Sequence, residues 1–145
     1  MQERGSVNAA KYQRKPNSED SKENKIASII VDAALAVHRE LGPGLLESVY
    51  EMALAYELLH RGVSVRRQVP LPVVYKGVML EEGFRIDLLV EEVVVVELKS
   101  VETISHTHTK TLLTYLRLSN KKLGLMINFS EALLKNGIKR VVKGL

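Results

Sequence analysis

The segment spanning residues 84–99, FRIDLLVEEVVVVELK, constrains the fold of this chain more than any other stretch. Its LLV and VVVV runs have the unbroken apolar character of strands covered on both faces, yet Asp87, Glu97 and Lys99 interrupt them. A carboxylate or an ammonium in such surroundings is costly unless it is paired or holds a cation. Strands are predicted over 84–90 and 93–98, and only Glu91 and Glu92 stand between them, so the two form a tight antiparallel pair.

The rest of the pattern places helices around this pair. Ile26, Ile29, Ile30, Ala33, Ala34, Val37 and Leu41 recur at three-and-four spacing, which predicts an amphipathic helix over 26–41 ended by Gly42-Pro43-Gly44. A second helix is predicted from about 45 to 61, with Gly62 as its stop. Residues 63–74 are β-branched and broken by Pro70 and Pro72, an extended edge segment turning at Lys76-Gly77. Residues 107–119 return to helical spacing, 123–128 read as a short buried strand, and 131–145 as a turn or short helix followed by Val141-Val142. This order describes an α/β domain over 25–145 with a mixed sheet flanked by helices. Residues 1–24 are polar, mixed in charge and without apolar period, and read as a disordered tail.

Composition removes several classes of function. With no cysteine there is no disulfide framework, thiolate zinc site or Cys nucleophile. Residues 1–25 lack the apolar core of a signal peptide, and no apolar run approaches the roughly 20 residues of a membrane span, so a cytoplasmic protein with no membrane partner is expected. There is no Walker loop, GxGxxG or GxSxG. Charge is unevenly distributed: residues 26–104 carry 7 Lys/Arg against 12 Asp/Glu, and residues 105–145 carry 8 against 1. Lys110, Arg117, Lys121, Lys122, Lys135, Lys139, Arg140 and Lys143 therefore form a candidate phosphate-gripping surface, with an ordinary solvated face as the alternative.

In a regular strand Asp87 shares a face with Arg85 and Leu89, and Glu97 with Val95 and Lys99. A two-residue turn at Glu91-Glu92 would set Asp87 opposite Val96, so a shared site requires an odd-length loop or a bulge. If the three groups meet, two carboxylates and a backbone carbonyl suit Mg²⁺ or Mn²⁺, and Lys99 stands beside an attacking water. The alternative is a buried Glu97–Lys99 ion pair. Glu47, on one helical stripe with Tyr50, Leu54 and Leu58, can extend the site or cap its helix. His108, Thr111 and Tyr115 share a stripe of the third helix and are candidate supporting residues, whereas His106 and His108 are a weak zinc signal.

Gly44-Leu45-Leu46-Glu47-Ser48-Val49-Tyr50 resembles the signature of the GxxExxY proteins, a small family within the PD-(D/E)xK nuclease-like superfamily. The resemblance runs over residues 26–145 through QVPLPVVYKG, GFRIDLLV, VVVELKSVE, LLTYLRL and LGLMINF. It implies a restriction-endonuclease-like core, the superfamily acid at Asp87, the ExK motif at Glu97-Leu98-Lys99, and a helix acid at Glu47. Ile86 stands where the superfamily name has Pro, and Thr111 where many members have the Gln of a QxxxY arrangement. Thr keeps a hydroxyl but lacks the reach and the amide donor. Two functions are expected on this basis. One is Mg²⁺- or Mn²⁺-dependent phosphodiester hydrolysis of DNA or RNA by Glu47, Asp87, Glu97 and Lys99. The other is a catalytically inactive nucleic-acid-binding or scaffold module. A homodimer through the edge near residues 69–74 is a further expectation.

Overall fold

A computed structural model describes residues 21–145 of the chain. The reading of residues 1–20 as a tail lies outside the described residues. Residues 22–24 are not tail but the first turn of α1 (Lys22–Leu41), because the Ser21 side chain accepts from the Asn24 amide, 3.1 Å, and caps the helix. Helix α2 (Glu47–His60) follows the Gly42 to Leu46 connection, in which Gly42 and Gly44 hold φ of 70° and 102°.

Strands β1 (Val65–Tyr75) and β2 (Val78–Val90) form a long antiparallel hairpin closed at Lys76-Gly77, both with positive φ. β2 begins six residues earlier than the apolar pattern predicts. Glu81-Glu82-Gly83 masks the period there, and a register shift between Leu71 and Val73 accommodates it. A Cβ on Gly83 would lie 2.3 Å from the Leu71 carbonyl oxygen, so this close approach requires glycine. β3 (Val94–Lys99), α3 (His106–Ser119), β4 (Leu123–Asn128), a 3₁₀ turn (Leu134–Gly137) and β5 (Ile138–Val142) complete the chain. The sequence pattern showed only Val141-Val142 of β5, whose polar Lys139 and Arg140 hide the edge strand.

The five strands lie in sequence order, β1-β2-β3-β4-β5, with β3 and β4 parallel across the α3 crossover and the other neighbours antiparallel. α1 and α2 cover one face, burying Ile30, Ala33, Tyr50, Leu54 and Leu58 against Leu88, Val96, Leu98 and Leu125. α3 covers the other, where Leu112, Tyr115 and Leu116 pack with Leu71, Ile86, Leu89, Val95 and Met126. Burial on both faces explains the continuous apolar runs of β3 and β4. Among the described residues no helix is long and apolar enough to cross a membrane.

Candidate active site

The loop between β2 and β3 holds three residues, Glu91, Glu92 and Val93, because Val90 rather than Val93 is the last paired residue and its partner is Val94. Glu91 and Glu92 both take left-handed backbone, φ 52° and 59°. The odd-length loop supplies the register that a shared site requires: Leu88 stands opposite Val96, and the next rung is Asp87 with Glu97. The two loop acids serve the sheet rather than the site. Glu91 accepts from the Ser64 amide at 2.6 Å, and Glu92 takes a bidentate bond from Arg66 at 2.6 and 2.8 Å.

β2 and β3 part at that rung. Only three residue pairs join them, from Val90–Val94 to Leu88–Val96; below Leu88 β2 keeps company with β1, and Glu97 to Lys99 with β4. In place of ladder bonds, the carboxylates span the fork. The Asp87 amide donates to Glu97 Oε1 at 3.1 Å, and the Leu98 amide donates to Asp87 Oδ2 at 2.8 Å. Each acid thus satisfies backbone belonging to the other's strand, which keeps the two side chains in one place.

Strict alternation fails at Asp87. Ile86 packs on the α3 side with Leu89, while Leu88 packs on the α1–α2 side, so the strand changes face at this residue. The opposite strand does likewise: Val65 lies on the α1–α2 side and Val69 and Leu71 on the α3 side, with Gln68 between them at φ 51°. Gln68 and Asp87 occupy the same rung, between the Arg67–Leu88 and Val69–Ile86 pairs. This shared twist lets groups from α2 and from α3 approach one pair of acids.

The electrostatics are those of crowded, partly dry carboxylates. Burial pushes the Glu97 carboxyl up to about 8, the Asp87 charge adds to the shift, and the Lys99 charge opposes it. Burial also raises Asp87; the Leu98 amide bond opposes this, while the charges of Glu51 and Glu47 reinforce it. Tyr115 is raised to about 12 by burial and by the charges of Glu97 and Asp87, so it faces the pair as a neutral phenol, and its ring packs on Phe84 at 5.2 Å. Two carboxylates held together at this cost, beside a Lys on the same strand face, are a donor set that fits a divalent oxygen-seeking cation such as Mg²⁺ or Mn²⁺. Among the described residues no three His, Cys, Asp or Glu side chains gather into a metal cluster.

Glu47 does not cap its helix through its carboxylate; Glu47 Oε2 accepts from the Ser100 amide at 3.2 Å, just beyond Lys99. A cavity of about 400 Å³ lined by Leu45, Leu46, Glu47, Ser48 and Ser100 opens beside it. Three larger cavities, of about 560, 550 and 430 Å³, lie against α1, and none is lined by Glu47, Glu51, Asp87 or Glu97. Tyr50, the last residue of the GxxExxY pattern, is wholly buried, stacked on Phe129 at 4.4 Å, with its hydroxyl donating to the Gly42 carbonyl and accepting from the Leu45 amide. It fastens the connection that delivers Glu47.

α3 contributes less than its stripe predicts. His108 closes a capping box, its Nδ1 accepting from the Ser105 amide at 3.0 Å, and the Thr111 hydroxyl donates to the Thr107 carbonyl one turn back. Neither hydrogen bond reaches the carboxylates. The basic residues are also dispersed. Lys139 pairs with Met126, which pairs with Glu97, so it stands on the acids' row of the sheet. Arg140 turns to the other face and bonds Asn24, and Lys121, Lys122 and Lys143 lie at the far end of β4, where the Lys143 amide donates to the Lys122 carbonyl. Lys110 and Arg117 sit on α3, and Lys135 in the 3₁₀ turn. A single basic groove over all these residues is not formed.

Two residues that sequence reading missed join the site. Glu51, only 6% exposed, accepts from Arg67 Nε at 3.0 Å and from Gln68 Nε2 at 2.6 Å, and Gln68 Nε2 also donates to Asp87 Oδ1 at 3.3 Å. The spacing of Glu47 and Glu51, one helical turn apart, is the signal that was available for Glu51. Gln68 left none, because its role depends on a backbone twist and two distant elements. Asn128 supports the end of β3: fully buried, it accepts from the Val101 and Ser130 amides and donates to the Val101 carbonyl at 2.8 Å. Asn128→Ala is expected to cost about 2 kcal/mol by stranding the Val101 backbone groups, read as a lower denaturation midpoint.

The mixed sheet flanked by helices thus forks over Asp87 and Glu97, with Lys99 on the strand of Glu97. A family model described as the PD-(D/E)XK nuclease superfamily matches residues 24–141, and the chain belongs to that superfamily. No curated protein and no solved structure matches the chain.

Proposed function

We propose that this protein is a metal-dependent phosphodiesterase of the GxxExxY type that cleaves DNA or RNA. The observation that carries the reading is the interlocked Asp87–Glu97 pair at the fork of β2 and β3. Asp87 and Glu97 would hold Mg²⁺ or Mn²⁺, with Glu47 as an outer acid. When bound, the cation supplies charge neutralisation at the scissile phosphate and a more acidic water. Lys99 would orient an attacking water and offset negative charge developing on the phosphate oxygens. Tyr115, kept neutral, donates a hydrogen bond from the α3 side, and Lys139, on the same row of the sheet, draws the phosphate backbone toward the acids.

The test is cleavage of single-stranded DNA, duplex DNA and RNA across a Mg²⁺ and Mn²⁺ titration, with Asp87→Ala and Lys99→Ala as controls. Cation-dependent cleavage lost in both variants supports the reading; cleavage that survives both belongs to a contaminant. A second reading, nucleic-acid binding without turnover, is favoured by one observation: the Thr111 hydroxyl is spent on the Thr107 carbonyl, so Thr111 lends that donor to its own helix and not to the acids. That reading expects salt-sensitive binding that survives Lys99→Ala and falls when Lys139, on the acids' row of the sheet, is neutralised.

A further inference from the structure

We propose that Gln68 is a positioning residue for Asp87, held in place by the buried carboxylate of Glu51. The inference rests on the metal-site reading above for what Asp87 does, and on the hydrogen-bond geometry alone for how it is held. A primary amide nitrogen has two protons to give. Gln68 Nε2 directs them at two carboxylates on two elements, Glu51 Oε1 on α2 at 2.6 Å and Asp87 Oδ1 on β2 at 3.3 Å.

Three further observations converge on this residue. Among the described residues Glu51 and Glu97 are the buried charged groups, and the partners of Glu51 are Arg67 and Gln68, so its burial serves to anchor this arm. Adjacent residues of a regular strand point to opposite faces, yet Arg67 and Gln68 both reach Glu51, because Gln68 takes φ 51°. Left-handed backbone disfavours a glutamine and would be relaxed in glycine, and the two carboxylate bonds of the side chain offset that strain. Finally, Asp87 Oδ2 is held by the Leu98 amide, leaving Oδ1 free to swing unless Gln68 holds it; both oxygens are then oriented at once. The Gln68 amide reaches the acid from β1.

Mn²⁺ alone, titrated calorimetrically into the full chain, tests the assignment, with melting temperature in chelator measured on every variant. Gln68→Asn tolerates left-handed backbone and keeps the amide but is one methylene too short, and Gln68→Gly relieves the strain and removes the amide. In folded protein both are expected to weaken Mn²⁺ binding about 10-fold. Unchanged affinity in either folded variant overturns the proposal. If the unsubstituted chain binds no Mn²⁺, the metal reading fails and the positioning claim is judged separately by NMR of the metal-free protein. Slow exchange of the two Gln68 side-chain protons, one released by Asp87→Ala and the other by Glu51→Ala, sustains it; fast exchange in the unsubstituted chain overturns it.

Discussion

Glu97→Gln is expected to make the metal-free protein more stable at pH 8 and above, and to flatten a dependence of stability on pH that the unsubstituted chain displays. The Glu97 carboxyl is raised to about 8 from an ordinary value of 4.5, by burial and by Asp87. Between those values the folded state holds a proton that the unfolded chain has lost. Stability therefore rises as pH falls from 8 toward 4.5, and above 8 the folded protein bears the full cost of two crowded charges. The contribution is on the order of 5 kcal/mol. Asp87, also raised, adds to it with the same sign. Glu91 and Glu92 are lowered by their hydrogen bonds to Ser64 and Arg66, so their effect is of opposite sign and falls below the ordinary carboxylate range, in a separate window. Chemical denaturation in chelator at pH 5, 7 and 9 measures the difference; a parallel offset between the two proteins at all three values refutes it. On the metal reading, Mn²⁺ at pH 8 raises the melting temperature of the unsubstituted chain and leaves Glu97→Gln nearly unchanged.

Tyr50→Ala is expected to be the most damaging single change in the α2 layer. Its ring is fully buried and lies nearly parallel to Phe129, 6° between planes, so truncation loses a large apolar volume and a stacked partner together. It also strands the Gly42 carbonyl and the Leu45 amide that its hydroxyl serves. The loss is about 3–5 kcal/mol, or roughly 10–20 °C in melting temperature. Tyr50→Phe separates the two parts: it keeps the stack, costs about 1–2 kcal/mol, and loosens the connection leading to Glu47. Equal damage from both variants would place the energy in the hydroxyl rather than the ring. A tyrosine that reads as part of a functional motif thus acts from the core, upstream of the acid it positions.

Several features were legible in the chain because they are properties of short segments. The periodicity from Ile26 to Leu41, the Gly-Pro-Gly stop, and the unbroken runs around Leu88 and Val95 each encode an element and the number of faces it buries. Even the condition on the loop was local arithmetic: an even turn would have separated Asp87 from Glu97, and the three-residue loop unites them. β5 was not legible, since Lys139 and Arg140 break its apolar pattern, nor was the early start of β2, where exposed Val78, Met79 and Leu80 belong to a hairpin arm beyond the core. The basic C-terminal third looked like one surface in linear order. Antiparallel pairing of β5 with β4 instead sends Arg140 to one face, Lys139 to the other, and Lys143 to the far end.

What the sequence determined by itself is that Asp87, Glu97 and Lys99 interrupt apolar strands and that Glu47 lies on a helix face, because a charge within an apolar strand, or an acid on a helix face, is visible from its neighbours alone. Only the tertiary structure decided that β2 and β3 part at Asp87, that Gln68 twists the opposite strand at the same rung, and that Glu51 is drawn in from α2. Those outcomes depend on which strands pair, where pairing stops, and which backbone amides are left for side chains to satisfy. Such relations join residues 10 to 19 positions apart, and no local period records them.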